Sequence, residues 1–131
     1  MSHLLDTNIC IAYLNGTDDA VRARIVVLGP ERLRLCSVVK GELLYGARKS
    51  SRIEDNLRRL GTFFEALRSL PFDDEAAARY GVIRAQLERE GRPIGANDLI
   101  IAAIAVAHDV TLVTRDNAAF DRVVGLRVEN W

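Results

Sequence analysis

Short apolar runs alternate with longer segments of helical spacing along the whole chain. The runs are bounded by polar or turn-forming residues, which predicts buried strands at residues 4–6, from residue 33 within 33–39, and at 70–72, 111–114 and 126–128. The longer segments carry apolar residues three and four positions apart, which predicts helices at 6–15, 18–28, 38–49, 52–69, 76–90 and 98–108, with a helical turn at 116–120. Helices placed between short, unbroken apolar strands indicate an α/β fold with a parallel sheet covered on both faces.

Several of the predicted helices carry recognisable signals at their ends. Ser37 is a suitable N-cap for the helix that follows it, and the acidic run 73–75 suits the positive end of a helix dipole. Gly91 is expected to end the helix before it, and Pro71 to break the helical segment 52–69. These signals support the order of elements read from the apolar pattern.

The chain has the length of one ordinary domain, and we predict a single domain over residues 1–131. No repeat, linker or low-complexity tract interrupts it, and with 49% hydrophobic residues it can build a core without disulfide bonds or a structural metal ion. Its 18 basic residues balance its 18 acidic ones, which excludes a generally basic nucleic-acid binder. Contact with RNA must therefore come from local patches, of which Arg48, Lys49 and Arg52 form the best.

The two cysteines and the first residues of the chain bear on the cellular compartment. Cys10 and Cys36 both lie in apolar segments outside any CxxC motif, so we expect buried, reduced thiols. The first residues lack the apolar stretch of a signal peptide, and the longest apolar run, at 99–107, is too short to span a membrane. We expect a cytoplasmic protein without a membrane partner.

Four acidic residues fall where a parallel sheet would gather them. Asp6 directly follows the first strand, and Asp116 follows the strand 111–114 by one residue. Ligands of such sheets bind beyond the carboxyl ends of the strands, where the strand order reverses. Asp6 and Asp116 meet there if the first and fourth strands are neighbours. Glu42, on the second turn of its helix, and Asp98, at the start of its helix, are expected near the same edge.

Each of these acids by itself also has a simpler interpretation. Asp6, Asp98 and Asp116 stand at or near helix starts, where an aspartate commonly caps free N–H groups. Glu42 is equally compatible with an exposed helix face. Together, however, crowded carboxylates repel each other, and a hard divalent cation such as Mg²⁺ or Mn²⁺ relieves that repulsion. The combination favours metal-assisted hydrolysis of a phosphodiester.

Other chemistries find little support in the sequence. There is no GxxxxGK[ST] or GxGxxG motif to cradle a nucleotide, and no Ser/His/Asp triad can be recognised. His3 and His108 are the only histidines, and His108 near a helix end suits the helix dipole better than catalysis.

At this point the chain resembles a known family, the VapC-type toxins of the PIN-domain ribonucleases. LLDTNICI resembles their opening LDTN block, SVVKGELLYGARKS their Glu-containing helix with its EL-x-YG pattern, and PIGANDLIIAAIA their third block around an Asp. TLVTRDNAAF resembles the fourth block and GLRVENW the closing strand. The blocks occur in order over essentially the whole chain.

The resemblance implies a set of site residues. The acidic site of the family falls on Asp6, Glu42, Asp98 and Asp116, which would hold the metal and carry the catalysis. Thr114 matches a Thr or Ser of the family near that site, and Asn8 belongs to the first block, where it is expected to order the loop. Some relatives carry Asn at the position of Asp116, which implies that Asp116 helps to hold the metal without being essential.

The same resemblance implies a fold, an activity and partners. The fold would be a three-layer α/β/α PIN-like fold with a central parallel sheet of four to five strands. The activity would be Mg²⁺- or Mn²⁺-dependent cleavage of RNA by the toxin of a type II toxin–antitoxin system. A homodimer is implied, together with a VapB-type antitoxin that covers the site and carries the only contact to operator DNA. Several relatives cut transfer RNA, which makes a tRNA anticodon loop our leading expectation for the substrate.

Three alternatives remain open at the level of the sequence. A partner-binding subunit without catalysis would need no four-acid cluster, and a housekeeping RNA-processing PIN nuclease would share it. A phosphatase or receiver domain also gathers acids at strand ends. Aspartate-nucleophile phosphatases carry a second Asp where this chain has Asn8, and receiver domains need a late Lys, whereas the only lysines are Lys40 and Lys49.

Overall fold

The computed structural model describes all residues from 1 to 131. The strands are β1 (His3–Leu5), β2 (Leu33–Cys36), β3 (Arg68–Leu70), β4 (Thr111–Val113) and β5 (Val128–Glu129). The helices are α1 (Thr7–Asn15), α2 (Asp19–Leu28), α3 (Ser37–Lys49), α4 (Ile53–Ala66), α5 (Asp74–Arg89), α6 (Ala96–Ala107) and α7 (Asn117–Phe120), with a 3-10 turn at Pro30–Arg32. The predicted alternation of strands and helices is confirmed.

All five strands pair in parallel, in the order β3-β2-β1-β4-β5. The chain thus winds outward from β1 in one direction and then returns to add β4 on the other side of β1. β1 and β4 are neighbours, with Leu5 beside Val113 at their carboxyl ends. This is the arrangement on which the predicted meeting of Asp6 and Asp116 depends.

Helices cover both faces of the sheet, which confirms the three-layer α/β/α architecture. The apolar residues of β1, β2 and β4 are almost completely buried, as expected for a parallel sheet. Leu4, Leu5, Leu35 and Leu112 have no exposed surface. No helix is both long enough and apolar enough to cross a membrane.

Four local predictions were wrong at element boundaries. Ser37 is the first residue of α3 and exposed, and the N-cap is Cys36, which keeps the extended backbone of β2 (φ −141°, ψ 164°). α4 ends at Ala66, well before Pro71, because the chain must turn into β3. β3 lies two residues before the predicted 70–72, and the last strand is 128–129 instead of 126–128.

The position of β3 has a physical reason. β3 is an edge strand that pairs only with β2, so its backbone forms hydrogen bonds while Arg68 stays exposed. Such a strand contains no unbroken apolar run, so the apolar pattern does not predict it. Pro71 then ends it, because proline has no N–H group to donate.

Candidate active site

Asp6 lies at the carboxyl end of β1 and caps helix α1. Its Oδ1 accepts a hydrogen bond of 2.7 Å from the backbone N–H of Thr7. Its Oδ2 accepts one of 2.9 Å from the hydroxyl of Thr114. With only 7% of its surface exposed, Asp6 is the most deeply buried acid of the site. The capping role and the predicted site role therefore belong to the same side chain.

Glu42 reaches the same place from the second turn of α3. Its Oε1 accepts a hydrogen bond of 2.7 Å from the hydroxyl of Thr7, and its side chain is half-buried. The exposed-face interpretation of Glu42 does not hold, because the side chain is turned toward α1. Thr7 was missed by the sequence analysis, although a hydroxyl directly after the strand-end Asp6 was a signal for it.

The remaining two acids are held differently. Asp98 is in the first turn of α6, half-buried, and accepts no backbone hydrogen bond, so it does not cap that helix. Asp116 is exposed and is the N-cap of the short helix α7, where its Oδ1 lies 3.4 Å from the N–H of Ala119. Its own N–H donates to the Thr114 hydroxyl oxygen at 3.0 Å.

Thr114 is completely buried and connects two of the acids. Its hydroxyl donates to Asp6 and accepts from the backbone of Asp116. The two strand ends are thereby joined through one side chain. Asn8, by contrast, is exposed in the first turn of α1 and forms no side-chain hydrogen bond, so nothing in the structure supports its predicted ordering role.

The charges of the four acids act on one another. Burial raises the pKa of Asp6, and the negative charges of Glu42 and Asp116 raise it further, against the lowering effect of the hydrogen bonds from Thr114 and Thr7. Burial is also the main cause of the raised pKa of Asp98, followed by the charges of Asp6, Asp116 and Glu42. The four predicted carboxylates therefore share one electrostatic environment.

No basic side chain offsets the negative charge of these acids. None of the four acids forms an ion pair; the nearby Arg115 is paired with Asp18, the N-cap of α2. The carboxylates are not drawn together to the spacing of ligands on a single ion. As a donor set they suit a hard divalent cation, because all four are oxygen ligands, and burial together with their like charges raises the pKa of Asp6 and of Asp98.

The helix ends add a field of the opposite sign. α1, α3 and α7 begin directly after, or one turn beyond, the carboxyl ends of β1, β2 and β4. Helix N-termini carry partial positive charge and favour anions, including phosphate groups. The edge therefore combines acids that attract a cation with helix ends that attract a phosphate.

Comparison with known proteins decides the family. The model of the PIN domain matches residues 3–126. The tRNA(fMet)-specific endonuclease VapC of Shigella flexneri is 40% identical over 131 residues, which are 100% of this chain and 98% of that protein. Ribonuclease VapC2 of Rickettsia felis is 37% identical over 132 residues, again 100% of this chain and 98% of the relative. The chain belongs to the PIN-domain family, in its VapC group.

Solved structures of VapC relatives share the fold of this PIN domain along its full length. VapBC2 from Rickettsia felis, in a crystal structure bound to a DNA fragment from the promoter, superimposes with a TM-score of 0.92 at 36% identity and covers 100% of this chain and 99% of that one. DNA-bound VapBC from Salmonella typhimurium gives a TM-score of 0.93 at 36% identity, with 100% and 98% covered.

A cleft runs from the acidic site of the PIN domain between α1, α3 and α4. It encloses about 240 Å³, and Glu42 stands in its wall. Ile11, Leu14, Leu43 and Leu60 make its lining largely apolar. The acidic site thus opens onto a surface that can accept an apolar segment of another chain.

Proposed function

We propose that this PIN domain is the toxin of a type II toxin–antitoxin pair, a Mg²⁺- or Mn²⁺-dependent endoribonuclease that cuts a tRNA in its anticodon loop, with the initiator as leading substrate. The observation that carries the proposal is that the charges of Asp6, Glu42, Asp98 and Asp116 act on one another at one sheet edge, in a chain that matches VapC ribonucleases over its full length. The relative from Shigella flexneri supports the choice of tRNA, since its name gives tRNA(fMet) as the substrate.

Each residue has a role that follows from its contacts. Asp6, Asp98, Asp116 and Glu42 would hold the cation, which when bound supplies positive charge at the phosphate and lowers the pKa of water. Thr114 and the Thr7 N–H fix the orientation of Asp6. Glu42 uses Oε1 for Thr7, which leaves Oε2 able to accept a proton from the attacking water. The N-termini of α1 and α3 favour the phosphate.

The shape of the site supports a loop as the substrate. None of the eight aromatic residues lines the cleft beside Glu42, so broad stacking-based binding of single strands is not expected there. RNA loops expose unstacked bases and a backbone that can enter a narrow cleft. A structured RNA with an exposed loop therefore fits this surface better than an extended strand.

A cognate VapB-type antitoxin is the proposed protein partner. The matched structures from Rickettsia felis and Salmonella typhimurium are VapBC complexes with DNA. The apolar cleft beside Glu42 gives an antitoxin segment a place from which to block the acids. We propose that operator DNA is reached only through the antitoxin and that the toxin itself is a homodimer. A strictly monomeric species in sedimentation at micromolar concentration would contradict the homodimer.

The function is tested with wild type, Asp6→Asn and Asp98→Asn. Each is expressed inducibly in a bacterium, with and without the small neighbouring gene, and new RNA ends are mapped. We expect one cut in one tRNA with wild type, none with either variant, and protection by the neighbouring gene. Purified wild type should lose its activity in EDTA and regain it with Mg²⁺ or Mn²⁺, but poorly with Ca²⁺, whose geometry is looser.

The outcomes separate the alternatives. Cuts spread evenly over messenger RNA would overturn the tRNA proposal and leave the nuclease in place. Cleavage by Asp6→Asn at the wild-type rate would refute the acidic mechanism. Absence of both new ends and growth arrest would point to a partner-binding subunit.

A further inference from the structure

Thr7 contacts two of the four acids at once. It is the first residue of α1 and half-buried between α1 and α3. Its backbone N–H donates to Asp6 Oδ1 and its hydroxyl donates to Glu42 Oε1, each at 2.7 Å. Glu42 lies 35 residues further along the chain on another helix, so this single residue ties together two acids that the sequence keeps apart.

No other hydrogen bond and no ion pair holds the side chain of Glu42 in place. The hydroxyl of Thr7 is its only hydrogen-bond partner, and no lysine or arginine forms an ion pair with it. A glutamate side chain has several rotatable bonds, and the charge of Asp6 repels this one. Without the hydroxyl, rotation away from Asp6 would relieve the repulsion.

The direction of the hydrogen bond is set by chemistry. An ionised carboxylate can only accept, so the single hydroxyl proton of Thr7 must point at Glu42. Hydrogen bonds to charged groups are also stronger than those between neutral groups. The contact therefore restrains one oxygen of Glu42 and leaves the other without a hydrogen-bond partner in the protein.

We infer that Thr7 is a positioning residue, whose hydroxyl fixes the distance and orientation of Glu42 relative to Asp6 so that both can act on the same cation. The inference rests on the proposed function. In the same way, the hydroxyl of Thr114 restrains the second oxygen of Asp6. The hydroxyl of Thr7 acts through Glu42 alone, because Glu42 is its only hydrogen-bond partner.

Thr7→Val is the discriminating variant, because it keeps the shape and the N–H bond to Asp6 and removes only the hydroxyl. Thr7→Ser restores the hydroxyl. Thr62→Val is the matched control, since Thr62 is an exposed helical threonine on α4 whose hydroxyl bonds its own helix at Arg58. All variants are checked by circular dichroism, and Thr7→Ala replaces Thr7→Val if the latter does not fold.

Two measurements are made on each protein: Mn²⁺ affinity by calorimetry, and kcat and KM for RNA cleavage. We expect Thr7→Val to lose roughly 10- to 100-fold in Mn²⁺ affinity and in kcat, as is usual for residues that orient a metal ligand, with little change in KM. Thr7→Ser and Thr62→Val should stay near wild type.

A cycle with Glu42→Ala tests whether Thr7 acts through Glu42. Adding Thr7→Val to Glu42→Ala should cause no further loss of Mn²⁺ affinity, since the partner is already gone. Unchanged Mn²⁺ affinity and kcat in folded Thr7→Val, or fully additive losses in the double variant, would overturn the inference. Mn²⁺ affinities that behave as expected in a wild type that cleaves no RNA would instead overturn the proposed function and leave the role of Thr7 standing.

Discussion

At the scale of single residues, two acids of the candidate site, Asp6 and Asp98, are kept in unfavourable surroundings. Asp6 is buried and Asp98 half-buried, and the pKa of each is raised first by burial and then by neighbouring negative charge. Asp6 recovers part of this cost through the hydrogen bonds from Thr7 and Thr114, whereas Asp98 has no such partner. Stability is given up here for a cluster of negative charge, as is common at functional sites.

Asp98→Asn should therefore stabilise the protein in EDTA at neutral pH, by about 0.5–1 kcal/mol for a partly exposed charge. The folded protein binds the proton of Asp98 more tightly than the unfolded chain does. The contribution of Asp98 to stability is thus present below its ordinary pKa of 3.8 and is lost as the pH rises through the raised pKa of the folded state.

Urea unfolding at several pH values checks this. Between about pH 4 and pH 7, wild type should lose stability relative to Asp98→Asn. Added Mg²⁺ should stabilise wild type by binding the folded state, and Asp98→Asn much less. Equal pH dependence of the two proteins would show that the charge of Asp98 is not under strain in the folded state.

At the scale of elements, α6 is the helix that carries Asp98 into the site. Half of its residues are buried, including Ile101, Ala102, Ala103 and Ile104, and it packs against α5 and β4. The small alanines allow a close approach of the neighbouring backbones. A helix that is apolar nearly all round is typical of a buried position. The packing of α6 in the core therefore sets the position of the Asp98 backbone.

Ile104→Ala tests this packing. Ile104 is 1% exposed, so truncation leaves a cavity and should cost 2–5 kcal/mol in the free energy of unfolding, a typical range. Val82→Ala on α5, where Val82 is 65% exposed, is the control and should change stability by less than about 0.5 kcal/mol. A loss below about 1 kcal/mol for Ile104→Ala would mean that the core around α6 collapses around the gap.

At the scale of the whole molecule, strand order creates the site. The reversal between β1 and β4 leaves a crevice beyond their carboxyl ends, where Asp6, Thr114 and Asp116 come together. Ligands of open parallel sheets bind at such points. The protein as a whole has no net charge, which limits the long-range attraction of RNA.

Binding of RNA should accordingly depend only weakly on salt. If about three phosphates are contacted, the slope of log K against log salt is roughly −2, compared with values several times larger for basic nucleic-acid binders. Binding of an uncleaved tRNA to Asp6→Asn, titrated at several salt concentrations, measures the slope. A steep dependence would reveal a basic surface that the balanced composition conceals.

The sequence by itself determined the types and order of the elements and singled out the four acids that we propose for the site. Apolar spacing and turn residues are local properties, and the strand-end position of Asp6 follows from them directly. The family was readable for the same reason, because its blocks surround strand ends and helix starts. The bounds of the edge strand β3 were not predicted, because hydrogen bonding to β2, and not an apolar pattern, makes Arg68–Leu70 a strand.

Only the tertiary structure decided which of these residues meet. The sequence left the approach of Asp6 and Asp116 conditional on strand order, which is set by the packing of distant segments. The hydroxyl contact from Thr7 to Glu42 joins residues 35 positions apart, and that from Thr114 to Asp6 joins residues 108 apart. No local pattern encodes such contacts, because they form only after β1, β2 and β4 have paired and brought their helix starts to one edge.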